Sequence, residues 1–124
     1  LLDADDARPK QLAAQVLERA KGLLPRSSIA VVFANREFEA WFIGGAQSLD
    51  GRRGLQLRSA DAACDAEAPR DAKGWLSERM AGRAYGPVTD QSAFAAEMNM
   101  EQAFERCRSF RKLCSEWDKH FHRE

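Results

Sequence analysis

This sequence is poor in several things at once. Its 19 Lys and Arg offset 19 Asp and Glu, leaving no net charge. No global basic field therefore draws the chain to nucleic acid, and any such contact must come from a local patch. No apolar run approaches the roughly 20 residues of a bilayer-spanning helix, and no signal peptide is visible. These absences predict a cytoplasmic protein without membrane contact. Three cysteines, Cys64, Cys107 and Cys114, are an odd number without framework spacing, which excludes a disulfide scaffold and favours reduced thiols. A glycine-rich phosphate loop is missing too: Gly44-Gly45 and the Gly51 to Gly54 segment lack its lysine and strand-to-helix setting.

What is there begins with Leu1-Leu2-Asp3-Ala4-Asp5-Asp6, carboxylates crowded behind an apolar stub. The leucines read as the tail of a buried strand, which puts the acids at the strand's C-terminal edge, where open α/β sheets place ligands. A start in mid-strand without Met reads as a fragment lacking an N-terminal strand. Pro9 suits a first helical turn, with Asp6 as a cap. Leu12, Val16, Ala20 and Leu23 form a helical stripe that Gly22 and Pro25 close. Ile29 to Phe33 is a β-branched apolar run and predicts a buried strand. Strand, helix and strand make a βαβ unit with a parallel crossover.

Asn35 is placed to cap the next helix, with Glu37 and Glu39 in its first turn and Phe38, Trp41 and Phe42 docking it on the sheet. Residues 48–70 show no periodicity and read as a long irregular connection. The rest is helical. Asp71 caps a helix carrying Trp75, Leu76, Arg79 and Met80; Thr89 or Asp90 caps one holding Phe94 and Met98. Asn99 and Gln102 form a capping-box pattern opening the last helix, whose apolar face is Phe110, Leu113, Cys114, Trp117 and Phe121. The whole, 1–124, reads as one α/β domain: a βαβ part over 1–47, and a helical bundle over 71–124 packed against it.

The acids carry the functional signal. Asp3 and Asp5 alternate along an extended chain and point the same way. Parallel strands end on the same side, so Glu37 and Glu39, after the second strand, emerge near the aspartates. Crowded carboxylates call for a shared cation, and hard oxygen donors suit Mg²⁺ or Mn²⁺. Asp3, Asp5, Asp6, Glu37 and Glu39 are the expected ligands, at a site handling phosphate. A phosphatase with an attacking aspartate is disfavoured, because Ala7 stands where that chemistry uses Thr or Val. The bland alternative makes Asp6 a cap and the glutamates dipole partners.

In its order of words, Leu2-Asp3-Ala4-Asp5-Asp6, a helix, a buried strand and then Asn35-Arg36-Glu37-Phe38-Glu39-Ala40-Trp41, the chain resembles TOPRIM-type metal domains. Those occur in topoisomerases, primases and overcoming-lysogenisation-defect nucleases. It resembles more closely the bacterial domain of unknown function 4276, with Pro69 to Leu76, Tyr85 to Gln91 and Arg106 to Phe110 matching as well. The resemblance implies a partial TOPRIM-like parallel sheet and a metal-dependent nuclease, by analogy one of a defence system. It implies metal ligation by Asp3 and Asp5, with Glu37 or Glu39 as a further ligand or an acid behind them. It makes Lys73 a candidate for steadying transition-state charge on phosphate. A glutamate ending an earlier strand belongs to the TOPRIM pattern and has no counterpart in this sequence.

Arg106, Arg108, Arg111 and Lys112 cluster near the start of the last helix, and 108, 111 and 112 are placed to share a face toward a nucleic-acid backbone. The plainer alternative pairs them with Glu105 and Glu116 in solvent. Cys107, Cys114, His120 and His122 fail as a zinc site, since seven helical residues separate the thiols by about 10 Å. Trp41, Trp75 and Trp117 read as core. The competing function is a non-catalytic module binding a protein partner such as an ATPase.

Overall fold

A computed structural model describes residues 1–3, 8–34 and 37–121, without the side chains of Pro9, His120 and Phe121. It is mixed α/β and mostly helical, around one small parallel sheet. β1 (Leu2–Asp3) pairs with β2 (Phe33–Ala34) in the register Leu2 to Phe33 and Asp3 to Ala34. Between them runs α1 (Pro9–Leu23), where Pro9 costs nothing because the first helical amides have no partner. The ladder is shorter than the Ile29 to Phe33 run predicts. Ile29 and Val31 are only half-buried and Ala30 is exposed; Val32 is buried, and its carbonyl accepts the Leu2 amide at 3.1 Å. β-propensity alone makes no ladder, and among the described residues only Leu2 and Asp3 pair with this run.

After β2 the chain turns through Phe38 and Glu39 into α2 (Ala40–Gly44) and α3 (Ala46–Leu49). The helix therefore starts later than expected: Glu37 precedes it and Glu39 stands at its N-cap. Asn35 lies outside the described residues. α2 is buried along its whole length and separates two apolar clusters. Trp41 joins Ala34, Ile43, Cys107 and Phe110 on one side. Phe42 joins Leu49, Leu55, Leu76, Tyr85 and Phe94 on the other. That a short helix can be apolar all round follows from this placement between two layers.

The connection over 48–70 is irregular, as expected, apart from 3₁₀ turns at Arg52–Gly54 and Ser59–Ala63. Then follow α4 (Ala72–Glu78), α5 (Pro87–Glu97), α6 (Met100–Arg106) and α7 (Arg108–Phe121). Asp71 caps α4 by accepting from the Gly74 amide at 2.9 Å, and Asn99 caps α6 by accepting from Gln102 at 3.1 Å. Two expectations fail here. Gly86, not Thr89 or Asp90, is the N-cap of α5, and the last helix is broken at Cys107 into α6 and α7. At the break Cys107 and Ala103 pack so tightly on α2 that a Cβ on Gly44 would overlap the Cys107 sulfur. Trp117 is also not core, being 55% exposed.

Polar groups finish the packing. Arg106 donates to the carbonyls of Ile43, Gly44, Asp61 and Cys64 at 2.8–3.3 Å, satisfying the open end of α2. Asp61, 6% exposed, takes two bonds from Arg79 at 2.7 and 3.0 Å while that guanidinium lies 3.7 Å over Trp75. The Arg79 side chain bonded to Asp61 holds its carboxyl below the ordinary carboxylate value against the cost of burial. Removing one partner of a buried pair strands the other. Asp61→Asn is expected to cost about 3 kcal/mol at pH 7. A lowered folded-state pKa means that the contribution is present above the unfolded value near 4 and fades as pH falls through the folded one. Urea melts at stepped pH should therefore show the gap between variant and wild type closing below about pH 4.

Candidate acid–lysine site

Pairing β1 with β2 in parallel brings their carboxyl ends to one edge, and Asp3 ends β1 there. Its Oδ1 accepts the Phe38 amide at 2.8 Å, tying β1 to the turn that carries the glutamates. Glu37 and Glu39 flank Phe38, two residues apart, and both reach Lys73. Its Nζ lies 3.6 Å from Glu37 Oε1 and 3.5 Å from Glu39 Oε2. The Lys73 amide also donates to Glu37 Oε1 at 3.2 Å. That bond is possible because Asp71 caps α4 and turns its opening residues toward the sheet edge.

Glu39 is the unusual member. It is 1% exposed, which few carboxylates are unless fully paired. Oε1 accepts from Gln91 at 3.4 Å, while Oε2 makes no hydrogen bond among the described residues. The 3.5 Å contact with Lys73 is an ion contact, too long for a good hydrogen bond. Burial pushes the Glu39 carboxyl above its ordinary value; its own backbone amide and Lys73 pull it down, and Asp3 and Glu37 push it further up. Lys73 shows the reverse balance: burial works against its charge, but Glu39 and Glu37 outweigh it and hold the ammonium above its ordinary value.

Tyr85 belongs with them, and sequence reasoning missed it. The only tyrosine of the chain, it stacks on Phe94 with ring centroids 6.0 Å apart and is 6% exposed. Its hydroxyl is the second buried polar atom without a hydrogen-bond partner among the described residues. Burial raises the phenol's pKa, and the charges of Glu39, Asp90 and Glu37 raise it further. Its ring also packs on Phe42, with centroids 6.4 Å apart. The one available sequence signal was its position in the Tyr85 to Gln91 word, whose last residue contacts Glu39.

The structure thus brings together Asp3, Glu37, Glu39 and Lys73; Asp5 and Asp6 lie outside the described residues. The described residues alone contain no group of three or more His, Cys, Asp or Glu arranged to hold a metal ion. The basic residues of α7 divide between two sets of contacts. Arg108 and Lys112 line a groove with α1 and β2, and Lys112 pairs with Glu116. Arg111 instead donates to the Phe104 and Glu105 carbonyls at the end of α6. Burial pushes the Cys107 thiol up to about 12, so it is neither nucleophile nor ready ligand.

The sequence model of the domain of unknown function DUF4276 matches residues 1–117, and the chain belongs to that family. No curated protein and no solved structure matches it. No helix among the described residues is long and apolar enough to cross a membrane.

An unpartnered buried hydroxyl contributes nothing to folding and costs its desolvation. Tyr85→Phe is therefore expected to keep stability or raise it by up to about 1 kcal/mol. An unfolding free energy falling by more than about 1 kcal/mol would reveal a bonded hydroxyl.

Proposed function

We propose that this DUF4276 chain is a divalent-metal-dependent domain that cleaves nucleic acid by phosphoryl transfer, with its centre at Asp3, Glu37, Glu39 and Lys73. The observation that carries the reading is the buried Glu39 Oε2, which has the Lys73 ammonium 3.5 Å away and no hydrogen bond among the described residues. Buried carboxylate oxygens left in this state are rare in a structural ion pair and common where a ligand completes the site. The finer form of the reading is a TOPRIM-type arrangement at the end of the parallel pair.

The donor set fits a hard cation: every candidate is a carboxylate, and no thiol or imidazole is part of it. Asp3, Glu37 and Glu39 are not by themselves spaced to hold an ion, so they would hold Mg²⁺ or Mn²⁺ only together with Asp5 or Asp6. Bound there, the ion supplies Lewis acidity toward a phosphodiester oxygen and lowers the pKa of water. The chain's own groups do the rest. Asp3 is locked by the Phe38 amide, so its second oxygen keeps a fixed direction. Lys73 neutralises the glutamates until substrate arrives, and its ammonium then serves the charge on phosphate.

A second reading is a non-catalytic module that binds a protein partner, an ATPase among the candidates. It is favoured by a cavity of about 770 Å³ between α1, β2 and α7, lined by Leu17, Ile29, Val31, Arg108 and Lys112. Asp3→Asn separates the two, because the amide oxygen still accepts from Phe38 while the charge is gone. Calorimetric titration with Mn²⁺ is expected to show saturable binding lost in this variant. Cleavage of DNA or RNA should fall by about 100-fold. Equal cleavage by Asp3→Asn rules out the nuclease, and silence in both assays for the wild type favours the module.

A further inference from the structure

A second charged cluster lies on the same end of α5. Asp90 is fully buried, while the two arginines on it, Arg53 and Arg83, keep side-chain exposures of 40% and 39%. Arg53 Nε donates to Asp90 Oδ1 at 2.7 Å and its Nη2 to the Thr89 carbonyl at 3.1 Å. Arg83 grips both carboxylate oxygens, at 2.8 and 2.6 Å, and donates to the Arg53 carbonyl at 3.1 Å. The Gly86 amide donates to Asp90 Oδ2 at 2.8 Å. One carboxylate balances one guanidinium, so the cluster keeps a net positive charge at the surface. Arg53 Nη1 and Arg83 Nε make no hydrogen bond among the described residues.

The backbone points the same way. Arg53 has φ 50°, the one positive value outside glycine among the described residues, between Gly51 at 82° and Gly54 at 85°. Any residue with a Cβ is strained there and glycine is not. An arginine held in that conformation places its guanidinium at a cost to the loop, and such strain gathers at binding sites. The site also has an address. Asp90 precedes Gln91, whose side-chain amide meets Glu39 at 3.4 Å.

We infer that Arg53 and Arg83, forked by Asp90, form a phosphate-binding site for the nucleic-acid backbone running past the acid–lysine centre. The planar guanidinium matches phosphate oxygens two at a time, and two of them on one buried carboxylate are already oriented. The nucleic-acid ligand rests on the function proposed above, but the test needs no metal and no cleavage.

The probe is a labelled single-stranded oligonucleotide in EDTA, titrated at several salt concentrations. Arg53→Gly removes the cation and relieves the loop, so its melting temperature is expected within about 5 °C of wild type. Its affinity should fall about tenfold, and the slope of log K against log salt should become shallower by about 0.7. Arg83→Lys keeps the charge on Asp90 and should keep the slope. Three results overturn the inference: no wild-type binding, an Arg53→Gly variant that binds like wild type, or inorganic phosphate held as tightly as the oligonucleotide. Cleavage by Asp3→Asn tells the two proposals apart. If that variant cleaves normally while Arg53→Gly binds weakly, the anchor stands and the nuclease falls. The opposite pattern sinks the anchor and leaves the nuclease standing.

Discussion

The Lys73 ammonium between Glu37 and Glu39 is the interaction on which this architecture turns. Parallel pairing of β1 and β2 forces acids from both strand ends onto one edge, where Asp3 and Glu37 each raise the cost of charge on Glu39. Without a cation the buried Glu39 would be protonated or pushed out. α4 supplies that cation because Asp71 caps its first turn and the Lys73 amide is bonded to Glu37. A single side chain from a distant helix thus lets the edge keep its negative groups.

Rigidity around that contact comes from α2. Its Trp41 bonds Ser109 at 2.7 Å through the indole nitrogen, and Arg106 saturates its last carbonyls. Phe38 packs edge-on against both Trp41 and Phe42, so the turn bearing the two glutamates is fixed by aromatic contacts on either side of the helix. A site supported in this way holds its charges without reorganisation, which is where electrostatic catalysis gains most. The same support explains why a carboxylate oxygen and a hydroxyl without hydrogen bonds among the described residues are tolerated: burial elsewhere offsets their cost.

Much of this could be seen in the sequence, and the limits are physical. The order of acids and apolar runs was enough to pair Asp3 with Glu37 and Glu39, because parallel strands share a direction. Capping chemistry placed Asp71 and Asn99 correctly, since a cap is a local hydrogen bond. Family membership followed from ordered words along most of the chain. The ladder at Ile29 to Phe33 is shorter than propensity suggests because pairing also depends on a neighbour, and among the described residues only Leu2 and Asp3 pair with it. The break at Cys107 was invisible: it coincides with close packing on Gly44, which periodicity does not encode. Tyr85 and the Arg53–Asp90–Arg83 cluster were missed for a similar reason. Their partners lie 30 or more residues away in part, as with Arg53 and Asp90, and nothing in the local pattern of an isolated tyrosine or arginine announces a buried partner.

The most direct measurement is a crystal structure of the protein grown with MnCl₂, read by anomalous scattering at the manganese edge. The account predicts a peak bounded by the carboxylates of Asp3, Glu37 and Glu39, with Lys73 drawn off at least one glutamate. Lys73 still seated on both glutamates, with no peak at that edge, would contradict it.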